Sequence, residues 1–177
     1  MKNRRYRVIT KNSEPYFITC TIVNWLPLFE QAKILDILVN SLQHMQKNCR
    51  LTLYAYVIMK NHLHLIASSK NLSNEMAAFK SYTARCSIDW LKSIEMIDTL
   101  RLLKKYKKTY KHDQEFQFWV EGFHPKLIFN DSVFKQKLNY IHQNPVKAGY
   151  VDTPEDWFYS SARNYSDLDA PLNISFL

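Results

Sequence analysis

Glycine is almost missing from this chain: of 177 residues only Gly122 and Gly149 are glycine. A loop that wraps phosphates with backbone N–H groups needs several glycines close together. A P-loop NTPase and a dinucleotide-binding Rossmann domain are therefore excluded, and no nucleotide cofactor is expected. Cysteine is scarce as well. Cys20, Cys49 and Cys86 form no CxxC pair, which argues against a zinc ribbon and against a disulfide framework. They read as buried free thiols in a reducing cytoplasm. Long apolar runs are lacking too. The stretch from Pro15 to Phe29 is uncharged but polar in places and broken by Pro27, so no membrane span is expected. The basic start MKNRRYRVITKNSEP has no apolar run behind it and is not read as a signal peptide. The chain is also short for a (β/α)₈ barrel, which needs roughly 200 residues or more.

Positive charge and aromatic rings are plentiful. Lys and Arg number 24 against 16 Asp and Glu, a formal net charge of +8, and aromatics make up 14% with 11 tyrosines. Cations neutralise phosphates and rings stack on bases, so this balance leans toward nucleic acid. With 46% hydrophobic and 23% charged residues the composition is that of a globular protein, read as a single domain over 1–177. Its core is expected at about 5–150, with 151–177 as a C-terminal extension.

The patterning gives the elements. Tyr16 to Val23 (YFITCTIV) reads as a buried strand, and Glu30 to Lys47 as a helix with Ile34, Ile37, Leu38, Leu42 and Met45 near helical spacing. Leu51 to Met59 and His62 to Ala67 read as two strands of a hairpin broken at Lys60-Asn61. Asn74 to Lys92 reads as a helix capped by Asn71 or Ser73, with Met76, Phe79, Thr83, Cys86 and Trp90 on one side. RLLKKYKKTYKHDQE (101–115) reads as a flexible basic connection or a frayed helix. Phe116 to Val120 (FQFWV) is expected to be the fourth strand and Lys126 to Phe129 a short extended piece. A helix capped by Asn130 or Asp131 should run to about Gln143, where Asn144-Pro145 stops it. A short helical turn is expected within 156–165. The order implies an α+β fold, the split βαβ (ferredoxin-like) arrangement: an antiparallel sheet with two helices on one face, plus an added C-terminal helix.

Two groups carry chemistry. His62 and His64 lie two apart on a strand, so both imidazoles leave the same face while Leu63 and Leu65 leave the other. They form a ready pair of metal ligands, or two histidines on a half-exposed sheet. On the helix from Asp131, at 100° per residue, Val133, Phe134, Leu138 and Ile141 make an apolar arc. Tyr140 and Asn144 sit together at its edge, one turn apart; His142 points the opposite way from Val133. Tyr140 and Asn144 could equally be a boundary tyrosine and a helix-end residue.

The segments YVIMKNHLHLI, FWVEGFHPK, LNYIHQNPVKAGYV and DWFYSSARNY, in that order, together with YFITCTIVNWLPLF, resemble the HUH single-tyrosine transposases. The resemblance is to the branch associated with repetitive extragenic palindromes, and it runs from about Arg5 to Tyr165. It implies His62 and His64 as the metal-binding pair, Tyr140 as nucleophile and Asn144 as a third ligand, where other single-tyrosine branches carry glutamine. It also implies a homodimer acting on single-stranded DNA hairpins through a 5′-phosphotyrosine, in a prokaryotic cytoplasm. The donor types suit Mg²⁺ or Mn²⁺. Lys104, Lys105, Lys107 and Lys108 in the basic run, with Lys126 and Lys147, are the expected phosphate contacts, while Tyr106 and Tyr110 fit base stacking or plain solvent exposure. Trp119 reads as core, and Glu121 as a possible partner of an imidazole. Two other classes remain open. One is a non-catalytic single-stranded nucleic-acid-binding protein of the same fold. The other is a small metallohydrolase, for which the acidic residues form no evident cluster.

Overall fold

A computed structural model describes residues 13–177. The basic start of the chain, and the part of the expected core before Ser13, lie outside the described residues. Four strands form one antiparallel sheet: β1 (Tyr16–Thr21), β2 (Thr52–Ile58), β3 (His62–Ser68) and β4 (Lys126–Leu127), in the order β2-β3-β1-β4. This is the expected split βαβ order. Met59 N–H donates to His62 O at 2.8 Å, closing the hairpin around Lys60-Asn61.

Strand alternation divides the side chains. Ile18, Cys20, Leu53, Tyr56, Leu63, Leu65 and Ala67 point to a core filled by α1 (Ala32–Lys47) and α2 (Leu72–Ser93). Phe17, Ala55, Val57 and Ile66 point to the other face, where Ile141 of α4 (Asp131–Lys147) closes a second, smaller core with Val133, Phe134 and Leu138. The sheet is therefore covered by two helices on one face and by α4 on the other, and the apolar arc read on α4 is what seats it.

Several expectations are corrected. Phe116 to Val120 is not a strand: Trp119 makes one isolated bridge to Ile22, and the fourth strand is Lys126–Leu127, paired with Tyr16 and Phe17. FQFWV is apolar because Phe118 and Trp119 are buried in the core, with Trp119 Nε1–H donating to Thr83 Oγ1 at 3.2 Å. The start of the basic run belongs to a helix, α3 (Ile97–Lys105), held by buried Leu100 and Leu103 against α2. Along α2 the buried stripe after Thr83 is Ser87 and Leu91, with Cys86 and Trp90 only half-buried. Asn71 is its N-cap, without a side-chain hydrogen bond. Of the cysteines only Cys20 is buried; Cys49 is exposed and Cys86 half-buried. The turn expected within 156–165 is two pieces, a 3₁₀ turn at Pro154–Asp156 and α5 (Ala162–Tyr165).

Pro145 does not end α4. A proline removes only its own N–H, and its ring suits the helical φ. The following donors still pair, Ala148 with Asn144 O at 3.0 Å and Tyr150 with Pro145 O at 3.0 Å. Pro145 is buried, which offsets the restriction on Asn144 before it. Gly149, at φ 70°, ends the helix: the Gly149 N–H to Val146 O and Tyr150 N–H to Pro145 O bonds form a Schellman motif. At the other end Asn130 Oδ1 accepts from Val133 N–H at 2.9 Å, as the cap reading expected.

Candidate active site on the α4 face of the sheet

The sheet register sets the floor of the site. Thr19 lies opposite His64 and Thr21 opposite His62, so all four project to the α4 side. Leu63 and Leu65 point into the other core, where both are fully buried. The alternation around the histidine pair is thus as the sequence implied, and it sets the face from which both imidazoles project.

The two rings meet edge to face with centroids 4.9 Å apart. His64 is buried, stacked on Phe17 at 5.2 Å, and its Nδ1 lies 2.8 Å from Thr19 Oγ1. Burial, then the fields of His62 and Lys137, push its pKa down to about 3. Burial lowers His62 too, and a hydrogen bond to Asn144 opposes that shift. Both rings are therefore neutral at neutral pH, the state a metal ligand requires. Asn61 bears on the tautomer of His62. Its Nδ2 donates to the Trp25 carbonyl at 3.1 Å, so its Oδ1, 2.7 Å from His62 Nδ1, is left as an acceptor. A proton on His62 Nδ1 satisfies Asn61 and frees Nε2 as a lone pair, whereas a proton on Nε2 serves the bond to Asn144.

Helix α4 brings the rest. The Tyr140 ring sits 5.2 Å from the His64 ring and 5.8 Å from Phe17, and it is 42% exposed, so solvent and substrate can reach it. Asn144, one turn on, donates to the Tyr140 carbonyl at 3.1 Å in addition to meeting His62. The structure thus gathers His62, His64, Tyr140 and Asn144 in one place within one chain. Two imidazoles and an amide fit a divalent ion chemically. Among the described residues no group of three His, Cys, Asp or Glu side chains could hold a metal, so an ion here would need the amide and further oxygen donors beside the two histidines.

Phe17, Thr19, Asn61 and Lys137 were not singled out for this site in the sequence. The Lys137 ammonium lies 5.1 Å from the Phe17 ring centroid and 5.8 Å from that of Tyr140. It is three residues before Tyr140 on the same edge of the arc, and that spacing was the available signal. His142 faces away, as its angle implied. Its Nε2 lies 3.0 Å from Ser161 Oγ, which also accepts from Tyr56 N–H at 2.9 Å, so it ties α4 to the C-terminal segment.

The basic run is elsewhere. Lys104 pairs with Glu115 at 3.3 Å, Lys107 donates to Lys111 O at 2.7 Å, and Lys105 lies over Tyr106; Lys108 is exposed. These residues end and follow α3, which packs with α2 on the side of the sheet opposite α4. Glu121 is paired with Lys111 at 3.7 Å. Lys126, by contrast, lies opposite Phe17 on β4 and so points to the α4 face, and Lys147 is exposed on the last turn of α4.

No protein-family model matches the chain. It is 30% identical over 107 residues to a Haemophilus influenzae (strain ATCC 51907 / DSM 11121 / KW20 / Rd) protein provisionally named a REP-associated tyrosine transposase, a match covering 60% of this chain and 56% of that protein. The chain thus spans little more than half the length of this curated relative. A solved structure of a REP-associated tyrosine transposase bound to a REP hairpin superposes with a TM-score of 0.66 at 16% identity, covering 97% of this chain and 93% of that one. The resemblance read from the sequence therefore stands, in sequence and in fold.

Proposed function

We propose that the protein is a metal-dependent single-tyrosine DNA transposase that cuts hairpin-bearing single-stranded DNA and rejoins it, with Tyr140 as the nucleophile. The observation that carries this reading is the convergence of Tyr140 and Asn144 on the neutral His62–His64 pair. The likeness to a fold solved with a REP hairpin supports the choice of substrate. His62, His64 and Asn144 would hold Mg²⁺ or Mn²⁺, which when bound would neutralise phosphate charge and polarise phosphorus.

The chain's own residues do the rest. Phe17 and the His64 ring hold the partly exposed Tyr140 ring in place. Tyr140 Oη attacks the scissile phosphorus in line, a new phenolic P–O bond forms, and the P–O3′ bond breaks. The phenol proton passes to solvent and the departing 3′-oxygen takes one up, leaving a 3′-hydroxyl and a 5′-phosphotyrosine. Attack by a second 3′-hydroxyl reverses the step and joins that strand, with no external energy source. Lys137 supplies positive charge beside the phosphate. A homodimer, which the resemblance implies, is not needed to complete this set, because one chain supplies it. A prokaryotic cytoplasm is the proposed setting, from the likeness to a bacterial relative.

The test is incubation with labelled hairpin single strands and Mn²⁺, followed by a denaturing gel. A covalent protein–DNA adduct that requires Tyr140 is expected. Metal-independent binding without any adduct would instead favour the non-catalytic single-strand binder.

A further inference from the structure

The segment between β1 and α1 is pinned at both ends. Ile22 N–H donates to Asn61 O, Val23 N–H to Phe118 O and Phe29 N–H to Lys60 O, each at 2.9 Å. Val23, Leu28 and Phe29 are buried. Between these anchors the chain turns outward through two successive left-handed residues, Asn24 at φ 51° and Trp25 at φ 55°. Asparagine enters that region readily; a tryptophan there is strained. The strained turn presents a large apolar residue to water, for Trp25 is 62% exposed. Strain of this kind gathers at ligand sites.

The indole is not placed at random. Its ring meets the His62 ring edge on with centroids 5.6 Å apart, and the Trp25 carbonyl is held by the same Asn61 amide that holds His62 Nδ1. Trp25 is therefore tied to His62 both through its ring and through Asn61. It stands on the His62 side of the site, with Lys137 and Phe17 on the His64 side.

We propose that Trp25 is a base-stacking platform, which takes the unpaired nucleobase of the nucleotide next to the scissile phosphate and so sets which linkage meets Tyr140. This deepens the function proposed above and rests on it. A stacked base fits because every nucleobase offers a flat face to an exposed indole, and single-strand binders fix their ligands in this way. Anchoring one base beside His62 leaves the next phosphate to cross toward Lys137 and Tyr140.

The experiment uses a fluorescein-labelled DNA hairpin with single-stranded oligothymidine tails, in which each tail position in turn is made abasic. Binding is read by anisotropy, and adduct formation with Mn²⁺ is read separately. In the wild-type protein one abasic position should weaken binding about tenfold. Trp25→Ala should weaken binding of the intact probe by a similar factor and make it indifferent to that position, while Trp25→Phe restores most of the effect. Equal sensitivity of the wild-type and Trp25→Ala proteins at every position would overturn the proposal, as would no binding of the probe by the wild-type protein. An adduct that forms normally while no position depends on Trp25 refutes the platform and leaves the transposase reading standing. Position-specific dependence on Trp25 without any adduct does the reverse.

Discussion

At the scale of single residues the site is a set of constraints on rotamer, tautomer and charge, and each can be removed separately. Tyr140→Phe takes away one oxygen from a partly exposed ring that packs on Phe17 and His64. Thermal stability should stay within about 0.5 kcal/mol, as for exposed substitutions generally. Hairpin binding should persist and the covalent adduct should vanish; an adduct in this variant, seen on a denaturing gel, would move the nucleophile elsewhere. His64→Ala should abolish cleavage while binding of the hairpin stays within a few-fold, because one lost imidazole costs most of an ion's affinity but phosphate contacts survive elsewhere. Cleavage by this variant at the wild-type rate in Mn²⁺ would count against the metal assignment. The histidine pair was legible because a strand period of two leaves no freedom: once Leu63 and Leu65 are core, His62 and His64 share the other face. Trp25 was not legible, and Lys137 offered only its spacing from Tyr140. A lysine at the edge of an amphipathic arc looks like any solvated lysine, and the left-handed turn that presents Trp25 has no glycine to mark it.

Elements add a second layer, because α4 must sit at one height and rotation over the sheet for Tyr140 to meet His64. The C-terminal segment helps to hold it there through His142 and Ser161. Burial lowers the pKa of His142 to about 4, the field of Glu155 opposes that, and Tyr165 covers the ring at 5.2 Å. The unfolded chain takes up a proton on this histidine below pH 6.5 that the folded protein refuses. The titration of His142 should therefore add no pH dependence to stability above about 6.5 and should lower stability as the pH drops from there toward 4. Urea unfolding of wild type and His142→Gln across this range should show a smaller acid loss in the variant, by on the order of 2 kcal/mol. Gly149→Ala tests the end of the helix. A Cβ there meets no atom within 4 Å, so only the φ of 70° opposes it, and a loss of about 1 kcal/mol is expected with adduct formation unchanged. The first three strands, α1, α2 and the cap of α4 were legible from periodicity and capping chemistry. The fourth strand was not, because FQFWV is apolar for tertiary reasons, through Phe118 and Trp119, and a two-residue edge strand has no period to detect. The length of α4 was misread because Pro145 deletes one donor without preventing the Schellman bonds beyond it.

Across the whole molecule the sheet separates two regions of positive charge, and this separation predicts a division of labour. Lys126 shares the α4 face with Tyr140 and Lys147 ends α4, whereas Lys104, Lys105, Lys107 and Lys108 end or follow α3 behind the other layer of helices. In the proposed reaction a contact on the site face would position the scissile linkage. A contact on the far face can hold only DNA that has passed around the edge, such as a hairpin stem. Replacing the four lysines of the basic run by glutamine should therefore weaken binding alike for all sequences. If the strand is single there, the slope of log K against log salt should flatten by up to about 0.7 per lost contact. At saturating DNA the rate of adduct formation should be unchanged, because none of these side chains lies beside His62, His64 or Tyr140. Lys126→Gln should show the opposite pattern, with a small change in affinity and a slower adduct. Salt titrations by anisotropy, paired with single-turnover gels, separate the two effects. An unchanged slope in the fourfold variant would make the run solvated surface only. A slower adduct at saturation would mean that DNA bound behind the sheet is coupled to the chemistry in front of it.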